Sequence, residues 1–340
     1  MSRAMLAGVF ESPGVFALRE RATPALQNDD DVLLRVRACG ICGTDVHILA
    51  NPSPIPVQPG SILGHEYTAS VVQVGARVSQ SQPGDCVVVD PSITCGVCEY
   101  CRRGLLNCCL AIATLGVTRD GGLAEFNIAP ARALHKIRAE VPAHLAALAE
   151  PLACVINGAE KIHVQPGEAA LILGAGPIGL LFAQFFRAAG AAQIIVSEIS
   201  DARAQIARDN GAHLVVNPQT QDLVALVKRE TGIGADVVVD AVGALFDVAV
   251  QAVRRGGRIL LFGFNSHAAP KISQSIITRG EIAIHGSYIA KHSFPRAVQL
   301  IESGTLPLAK LITHRFALND AASAIETMRR GEGIKILVEP

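Results

Sequence analysis

Five cysteines lie between residues 95 and 109, and their spacing could build a metal site. Cys95, Cys98 and Cys101 are three residues apart, and either Cys108 or Cys109 can complete a set of four. A zinc ion takes about four ligands at tetrahedral corners, and short Cys-x-x-Cys steps let one tight loop supply three of them. Four thiolates leave no open coordination position, so we predict a structural zinc site. Disulfides or a chance spacing are the less favoured interpretations.

A second group of potential metal ligands consists of Cys42, His65, Glu66 and Glu150. Cys42 and His65 lie on turns after strand-like runs, where side chains can converge, and Glu150 lies at the junction of the two halves of the chain. A catalytic zinc takes about three protein ligands and keeps a position for water or substrate. The pattern is compatible with such an open site, although a histidine beside a glutamate is more often a surface or core residue.

The elements that must position these residues differ between the two halves of the chain. Residues up to about 150 contain short β-branched runs between glycine and proline turns, which indicates an antiparallel barrel or sandwich. From Val164 onward, strands alternate with helices, which is typical of parallel βαβ units in a doubly wound sheet. The predicted strands are 169–173, 193–197, 213–216, 237–240 and 258–262, and the predicted helices include 201–210, 222–231 and 245–255. The last 50 residues break the alternation and are expected to return to the first domain, with a cleft between the two domains.

The segment Gly174-Ala-Gly-Pro-Ile-Gly179 follows an apolar strand and opens an apolar helix, as a dinucleotide-binding loop does. Its first glycine permits the tight turn, its second lets the backbone approach a pyrophosphate, and its third lets the helix pack on the strand. Glu198 ends the next strand, where its carboxylate can accept hydrogen bonds from the ribose hydroxyls and would repel a 2′-phosphate. We therefore predict NAD rather than NADP, with Arg203 near enough to pair with Glu198 or to reach a phosphate.

Loops after the other strands of this domain should also line the cofactor, because ligands bind at the carboxyl ends of the strands in an open α/β sheet. The alternative is a set of glycine turns that only pack helices on the sheet. The predicted cofactor contacts are Gly174, Gly176, Pro177, Ile178, Gly179, Glu198, Arg203, Val242, Gly243, Phe262, Gly263, Ser287 and Tyr288.

Composition argues against several classes of function. The 340 residues carry 30 Lys plus Arg and 30 Asp plus Glu, so the neutral chain has no electrostatic footprint for nucleic acid or an anionic membrane. Tryptophan is absent and only three tyrosines occur, which argues against an aromatic platform for bases. The longest apolar stretch, Leu171–Phe186, is shorter than the roughly 20 residues of a membrane helix. Nine cysteines without a signal peptide indicate thiols in a reducing cytoplasm.

Taken together, the motifs resemble those of the zinc-dependent medium-chain dehydrogenases, in the branch of the sorbitol, threonine and related polyol or sugar-acid dehydrogenases. The resemblance covers nearly the whole chain and rests on the cysteine-rich segment together with Gly40-Ile-Cys-Gly-Thr-Asp-Val-His47, Gly64-His-Glu66, Asp120-Gly-Gly-Leu-Ala-Glu-Phe126, Glu150-Pro-Leu152, the Gly174–Gly179 loop and Asp240-Ala-Val-Gly243. It implies an α/β protein in which a Rossmann doubly wound parallel sheet accompanies a mainly β, GroES-like catalytic domain. Residues 1–152 would form the catalytic domain with a structural zinc lobe at 90–112. Residues 153–289 would form the Rossmann domain, and residues 290–340 would return to the catalytic domain.

The resemblance also implies a role for each candidate ligand. Cys42 and His65 would bind the catalytic zinc, Glu66 and Glu150 would supply or exchange the remaining oxygen ligand, and Asp45 would orient His65. The family spacing leaves seven residues before the last ligand of the structural zinc, which favours Cys109 over Cys108. The implied structural ligands are Cys95, Cys98, Cys101 and Cys109. Two zinc ions per chain and NAD are the implied cofactors.

The activity implied by this resemblance is oxidation of a secondary alcohol with hydride transfer to NAD⁺. Thr44 and His47 are spaced so that the Thr44 hydroxyl can contact the substrate oxygen and His47, which titrates near pH 7, can pass the proton outward. Glu66 and Glu150 are the other two candidate catalytic residues. The alternative for His47 is a turn residue that makes a backbone hydrogen bond.

The substrate is only weakly limited by the sequence. A glutamate at position 150 goes with the polyol branch, so we expect a small polyol, sugar acid or hydroxy amino acid, and Arg119 could hold a carboxylate. The alternatives are an L-threonine 3-dehydrogenase, a primary or secondary alcohol dehydrogenase, a metal-free quinone reductase-like protein and a zinc-ribbon binding protein. Two zinc ions per chain would support the dehydrogenase, one the ribbon and none the reductase. The resemblance implies a homodimer or homotetramer.

Overall fold

The computed structural model describes residues 4–340, and the chain divides into two compact units. The first unit contains the residues up to Ala153 together with Ala290–Gly304 and Ile312–Pro340. The second contains Cys154–Ile289 and Thr305–Leu311. None of the helices in the described part of the chain is both long and apolar enough to cross a membrane.

The elements alternate as follows along the chain. The strands are β1 (Ala4–Ser12), β2 (Val15–Ala22), β3 (Asp31–Ile41), β4 (Glu66–Val74), β5 (Cys86–Val89), β6 (Ser92–Ile93), β7 (Ala113–Thr114), β8 (Phe126–Pro130), β9 (Leu134–Lys136), β10 (Ala169–Leu173), β11 (Gln193–Ser197), β12 (Leu214–Val216), β13 (Ala235–Asp240), β14 (Val253–Leu261), β15 (Ala283–Gly286), β16 (Ile312–Ala317) and β17 (Lys335–Glu339). The helices are α1 (Gly43–Ile48), α2 (Glu99–Arg102), α3 (Ala143–Ala146), α4 (Ala149–Ile162), α5 (Pro177–Ala188), α6 (Asp201–Asp209), α7 (Leu223–Thr231), α8 (Phe246–Ala252), α9 (Gln274–Gly280), α10 (Phe294–Ser303) and α11 (Ala321–Arg329).

The main sheet of the first unit has the order β16-β17-β3-β4-β5-β9, and β8 also pairs with β3. Its pairings are antiparallel except for the parallel pair β16–β17. Buried aliphatic residues on β3, β4 and β5, such as Leu34, Val71 and Val87, form its core. The C-terminal strand β17 lies beside β3, so the end of the chain does return to the first unit. The prediction of a mainly β domain is confirmed.

The sheet of the second unit has the order β12-β11-β10-β13-β14-β15, and every pairing in it is parallel. Numbered within this unit, the order is 3-2-1-4-5-6, which is the Rossmann order. All five residues of β10 are buried, as expected of a strand covered by helices on both faces. The predicted doubly wound sheet is therefore confirmed, and its carboxyl edge carries the glycine-rich loop.

Two details differ from the sequence-based expectations. The helix predicted at 245–255 ends at Ala252, and β14 begins at Val253, because Val253 pairs with Ala235 and Arg254 donates a hydrogen bond to Asp236. Gly256, with φ near 68°, takes up the extra residues at the resulting shift of register.

Residues 305–311 also differ from the expected return of residues 290–340 to the first unit. They belong to the second unit, where Gln184 donates to the carbonyl of Pro307 and Lys310 donates to that of Asp209. Leu308 and Leu311 in this segment are buried. Burial of these leucines and two long-range hydrogen bonds explain why the segment joins the second unit.

Candidate metal centres and cofactor loop

The four cysteines predicted to bind a structural zinc lie together in the structure. Their sulfur atoms, each within 4.8 Å of the others, belong to Cys95, Cys98, Cys101 and Cys109. The Sγ–Sγ distance is 3.6 Å for Cys95–Cys109 and 4.0 Å for both Cys95–Cys101 and Cys98–Cys109. Zinc–sulfur bonds of about 2.3 Å in a tetrahedron require sulfur atoms roughly 3.8 Å apart. The donor set therefore fits a zinc ion.

Cys108 is exposed and lies outside this group; its sulfur is 4.0 Å from Asn107 Oδ1. Sequence spacing alone left Cys108 and Cys109 open, and the structure groups Cys109 with the other three cysteines. All nine cysteines lie within the described residues, and none of them forms a disulfide.

The thiols of this cluster differ in acidity. Backbone N–H groups of Cys101 and Leu110 lower the pKa of Cys98 to about 6. Burial and its sulfur neighbours raise the pKa of Cys101 to about 12. Four thiolates this close repel one another, so full ionisation requires a cation among them.

The open site is built where strands of the main sheet of the first unit begin and end. Cys42 follows the last residue of β3, and His65 precedes Glu66, the first residue of β4. Because β3 and β4 are antiparallel and Gly40 pairs with Glu66, the end of one strand meets the start of the other. The ligand atoms of Cys42, His65 and Glu66 lie within 4.8 Å of one another. Thiolate, imidazole and carboxylate are all zinc donors, so this set fits a second zinc.

Asp45 positions both outer ligands from helix α1. Its Oδ2 accepts a hydrogen bond from the Cys42 backbone N–H at 2.8 Å, and its Oδ1 lies 3.7 Å from His65 Nδ1. Asp45 is fully buried, and these two facing atoms have no other partner within residues 4–340. Nδ1 therefore faces Asp45, and Nε2 is the nitrogen left for a metal. Burial by itself lowers the pKa of His65, but the negative charges of Cys42, Asp45 and Glu150 together raise it well above its usual range.

The Asp120-Gly-Gly segment supports the loop that carries His65. Gly122 N–H donates to the carbonyl of Gly64 at 2.7 Å, and Asp120 Oδ1 accepts from the Ile62 N–H at 2.9 Å. A Cβ atom on Gly121 would collide with the carbonyl oxygen of Gly64. Sequence reasoning used this motif only as a family marker, whereas the structure shows that its glycines allow close backbone packing behind His65.

A buried lysine, which sequence reasoning missed, lies beside the open site. Lys335, the first residue of β17, is 1% exposed and donates to Oε2 of Glu66, which is 2% exposed. Glu150, at the start of α4, is outside the group of three ligand atoms within 4.8 Å. Its charge nevertheless contributes to the raised pKa values of His65 and Lys335.

The two residues predicted to move a proton lie on α1. The Thr44 hydroxyl is half-buried and lies 3.7 Å from the Cys42 sulfur, while His47 is exposed. Residues three apart on a helix share one side of it, so Thr44 can face the site while His47 faces solvent.

The glycine-rich loop has the shape predicted for a phosphate cradle. Gly174 has φ near 98°, and a Cβ on Gly179 would collide with the carbonyl oxygen of Gly174, so α5 packs directly on the turn. In contrast, a Cβ on Gly176 would meet nothing within 4 Å. The backbone at Gly176 is therefore open to a ligand at the N-terminus of α5, where N–H groups favour an anion. Pro177 and Ile178 form the first turn of that helix.

Glu198, predicted to bind the ribose, is held by the loop itself. Its Oε2 accepts a hydrogen bond from Ala175 N–H at 2.8 Å, and its Oε1 accepts from Ile199 and Ser200 N–H at 2.9 Å. No ion pair joins Arg203 to Glu198 in the described part of the chain, and Arg203 is half-buried. The carboxylate is thus fixed beside the glycine-rich loop without a neutralising partner.

The other predicted cofactor loops are positioned by buried polar residues. Asp240, 2% exposed, accepts hydrogen bonds from the N–H groups of Val242, Gly243 and Leu245. A Cβ on Gly243 would lie 2.6 Å from the carbonyl carbon of Gly263, so these two loops need glycine to pack together. The Phe262 ring packs edge-on against Phe182, with centroids 5.2 Å apart.

Asn157 on α4 fixes the loop that carries Ser287 and Tyr288. Its buried side-chain amide donates to the carbonyl of Ile289 at 2.6 Å and lies 3.3 Å from the carbonyl of Tyr288 and 3.4 Å from Ser287 Oγ. Ile289 has φ near 39°, a conformation that non-glycine residues rarely adopt. The amide therefore holds a strained turn in the predicted cofactor site.

We expect Asn157→Ala to raise the KM for the nicotinamide cofactor by about tenfold, because loss of a buried hydrogen-bonded anchor costs roughly 1–3 kcal/mol. The kcat should change less, since Asn157 contacts no candidate zinc ligand among its hydrogen-bond partners. Steady-state kinetics with varied cofactor measure both constants. The matched control is Asn210→Ala, which removes another buried amide of the same unit; an equal rise in KM there would contradict a local role for Asn157.

Comparisons with known proteins agree with this architecture. The model of the alcohol dehydrogenase GroES-like domain matches residues 28–139, and that of the zinc-binding dehydrogenases matches residues 177–303. D-arabinitol dehydrogenase 1 of Uromyces fabae is 34% identical over 99% of this chain and 97% of its own length. L-threonine 3-dehydrogenase of Pyrococcus horikoshii is 34% identical over 99% of both chains. A candidate zinc-binding dehydrogenase of Sinorhizobium meliloti 1021, solved with NADP bound, superposes with a TM-score of 0.93 at 32% identity and covers 99% of this chain and 100% of its own.

These matches cover both units and join them to the metal and cofactor residues described above. Zinc and a nicotinamide dinucleotide, NAD or NADP, are the cofactors of this enzyme family. The chain therefore belongs to the zinc-dependent medium-chain dehydrogenases, in the branch that contains the polyol and threonine dehydrogenases.

Proposed function

We propose that the chain oxidises a secondary alcohol group of a small polyol, with hydride transfer to NAD⁺ and two zinc ions per chain. The observation that carries the proposal is the open set of Cys42, His65 and Glu66, which brings one thiolate, one imidazole and one carboxylate together. The D-arabinitol dehydrogenase relative supports a polyol as the substrate class. A sugar acid or L-threonine is the second candidate, favoured by the threonine dehydrogenase relative.

Each residue of the open site has a distinct part in this reaction. Cys42, His65 and Glu66 would hold the catalytic zinc, with Glu150 available to supply or exchange an oxygen ligand. When bound, zinc supplies Lewis-acid chemistry that lowers the pKa of a substrate hydroxyl. Thr44 would then accept the proton of that hydroxyl and His47 would pass it to solvent, as a group that titrates near neutral pH can do.

The proposed preference for NAD rests on Glu198 and has a direct test. Glu198→Gln keeps an acceptor for the Ala175 N–H but removes the charge that would repel a 2′-phosphate. We expect the NAD/NADP ratio of kcat/KM to fall at least about fivefold, since two unit charges about 4 Å apart interact by roughly 1 kcal/mol or more. The control is Glu230→Gln, an exposed carboxylate on α7 of the same unit. An unchanged ratio in Glu198→Gln would show that Glu198 does not select the cofactor.

The experiment that tests the function as a whole combines a zinc count with an assay. Zinc-replete protein is screened for NAD⁺ reduction at 340 nm with polyols, aldonic acids, L-threonine and simple alcohols, and with NADP⁺ in parallel. We expect two zinc ions per chain and polyol oxidation that a chelator abolishes. One zinc per chain without activity would overturn the proposed open site, while activity on L-threonine alone would select the second candidate.

Arg119 provides a further test of the substrate class. It is exposed and lies next to the Asp120-Gly-Gly segment that supports His65. If the substrate carries a carboxylate, Arg119→Leu should raise its KM, because a guanidinium can hold a carboxylate with two hydrogen bonds. For a neutral polyol the KM should stay unchanged.

We also propose a homodimer or homotetramer in a reducing cytoplasm. Among the described residues, β15 is the last strand of its sheet and pairs with β14 alone, which leaves one edge for a second copy. Light scattering coupled to size-exclusion chromatography distinguishes a monomer, dimer and tetramer. The reducing compartment is supported by the cysteine cluster, whose thiols would otherwise oxidise.

A further inference from the structure

We propose that Lys335 is a positioning residue that shares the Glu66 carboxylate with the metal and so limits how firmly Glu66 closes the open site. The inference rests on the proposed zinc site of Cys42, His65 and Glu66. In this arrangement Lys335 holds one carboxylate oxygen, and the group remains within reach of the other two ligands. The site then keeps a coordination position for the substrate oxygen.

The position of Lys335 follows from the strand register. Residues Ile336 and Leu337 of β17 pair with Ile41 and Gly40 of β3, so the start of β17 lies next to Cys42. Lys335 Nζ donates to Glu66 Oε2, and Glu66 is its ion-pair partner among residues 4–340. The two residues are 269 positions apart in sequence, so only the fold brings them together.

Gly40 leaves the room that this arrangement needs. A Cβ at position 40 would collide with Oε2 of Glu66, the same oxygen that Lys335 binds. The carboxylate is therefore confined between the backbone of β3, the Lys335 ammonium group and the ligand atoms of Cys42 and His65. Few other orientations are open to a side chain enclosed in this way.

Charge gives the contact its consequence. Burial alone would lower the pKa of Lys335 and raise that of Glu66, but their mutual attraction reverses both directions, so both groups carry charge. A buried charge that loses its partner must find another cation. Without Lys335, the only strong cation available to Glu66 would be the metal itself.

A purely structural role for Lys335 makes the opposite prediction for zinc. If Lys335 only supported the fold, its removal would loosen Glu66 and the zinc would be lost faster. If Lys335 competes with the metal for Glu66, its removal commits Glu66 to the metal and the zinc is lost more slowly. The direction of the change in zinc retention therefore separates the two roles.

The experiment compares Lys335→Met, which removes the charge but keeps the length, with Lys335→Arg, which keeps the charge. Zinc loss from zinc-replete protein to a chelator is followed in time, and a Cys42→Ser variant identifies the phase that belongs to the open site. The kcat and the unfolding midpoints with and without zinc are measured in parallel. Arg258→Met, which breaks the ion pair with Glu168 in the second unit, is the control for breaking a pair as such.

For Lys335→Met we expect zinc loss from the open site to slow by about 10- to 100-fold, the range by which partners of metal ligands change affinity. The kcat should fall, and the difference between the zinc-loaded and zinc-free unfolding midpoints should widen. Lys335→Arg and Arg258→Met should retain the wild-type rate of zinc loss. Faster or unchanged zinc loss in Lys335→Met would overturn the proposal.

A second comparison keeps the test decisive if Lys335→Met does not fold. Glu66→Gln and the double variant Glu66→Gln/Lys335→Met lack the carboxylate that Lys335 acts through. We expect the lysine change to leave zinc loss unaltered in this background, and a large effect there would show that Lys335 acts by another route. If the wild-type chain binds only one zinc, the proposed open site itself fails, which is a separate result.

Discussion

Asp45→Asn should reduce turnover by roughly 10- to 100-fold and weaken zinc binding at the open site, since partners of metal ligands typically have effects of this size. The substituted amide can still accept the Cys42 N–H through its oxygen, which retains the cap of α1. Its nitrogen would then face His65 Nδ1, 3.7 Å away in the native site, and two N–H donors cannot satisfy one another. The imidazole must rotate or change tautomer, and Nε2 is no longer presented to the metal. Zinc analysis and steady-state kinetics measure the two effects.

Thr44→Ala on the same helix is the matched control for Asp45→Asn. It should cut turnover severely and leave the zinc content intact, because Thr44 is assigned to the proton and not to the metal. If turnover stays within about twofold, proton transfer through Thr44 is wrong, since a positioned acid or base contributes at least about 100-fold. Asp45→Asn protein with a full zinc content and normal turnover would instead show that the contact with His65 has no function.

The architecture of the second unit could be predicted from the sequence because its signals are local. A strand buried on both faces is a continuous apolar run, and the predicted ranges 169–173 and 193–197 coincide with β10 and β11. Errors occurred where a distant partner decides the structure. The pairing of Val253 with Ala235 ends α8 early, and the contacts of Pro307 with Gln184 draw 305–311 into the second unit. No local pattern reports either contact.

The same distinction applies to the open site. Its ligand types are visible in two short segments around Cys42 and His65, whereas the groups that hold these ligands come from far along the chain. Asp120 and Lys335 reach the site through backbone packing and strand register, which a single sequence does not display. One signal was present for Lys335, since it is a lone cation in the apolar run Ile334–Val338. A charged residue inside a buried strand indicates a buried partner.

The spacing of the cysteines could not decide between Cys108 and Cys109, and the structure turns this choice into a paired experiment. Cys109→Ser should remove one of the two zinc ions and lower the unfolding midpoint by roughly 5–10 °C, whereas Cys108→Ser should change neither.

The reason is that the lobe has little else to hold it together. Its helix α2 has four residues, and its apolar side chains Val97, Tyr100 and Leu110 are exposed. Removing one of four thiolates therefore removes the main source of order in the segment, while the exposed Cys108 contributes none of it. Zinc analysis, thermal unfolding and limited proteolysis near residue 100 measure the outcome. Equal zinc loss in both variants would mean that the two neighbouring thiols exchange at the metal, and the fourth ligand would then not be fixed by the fold.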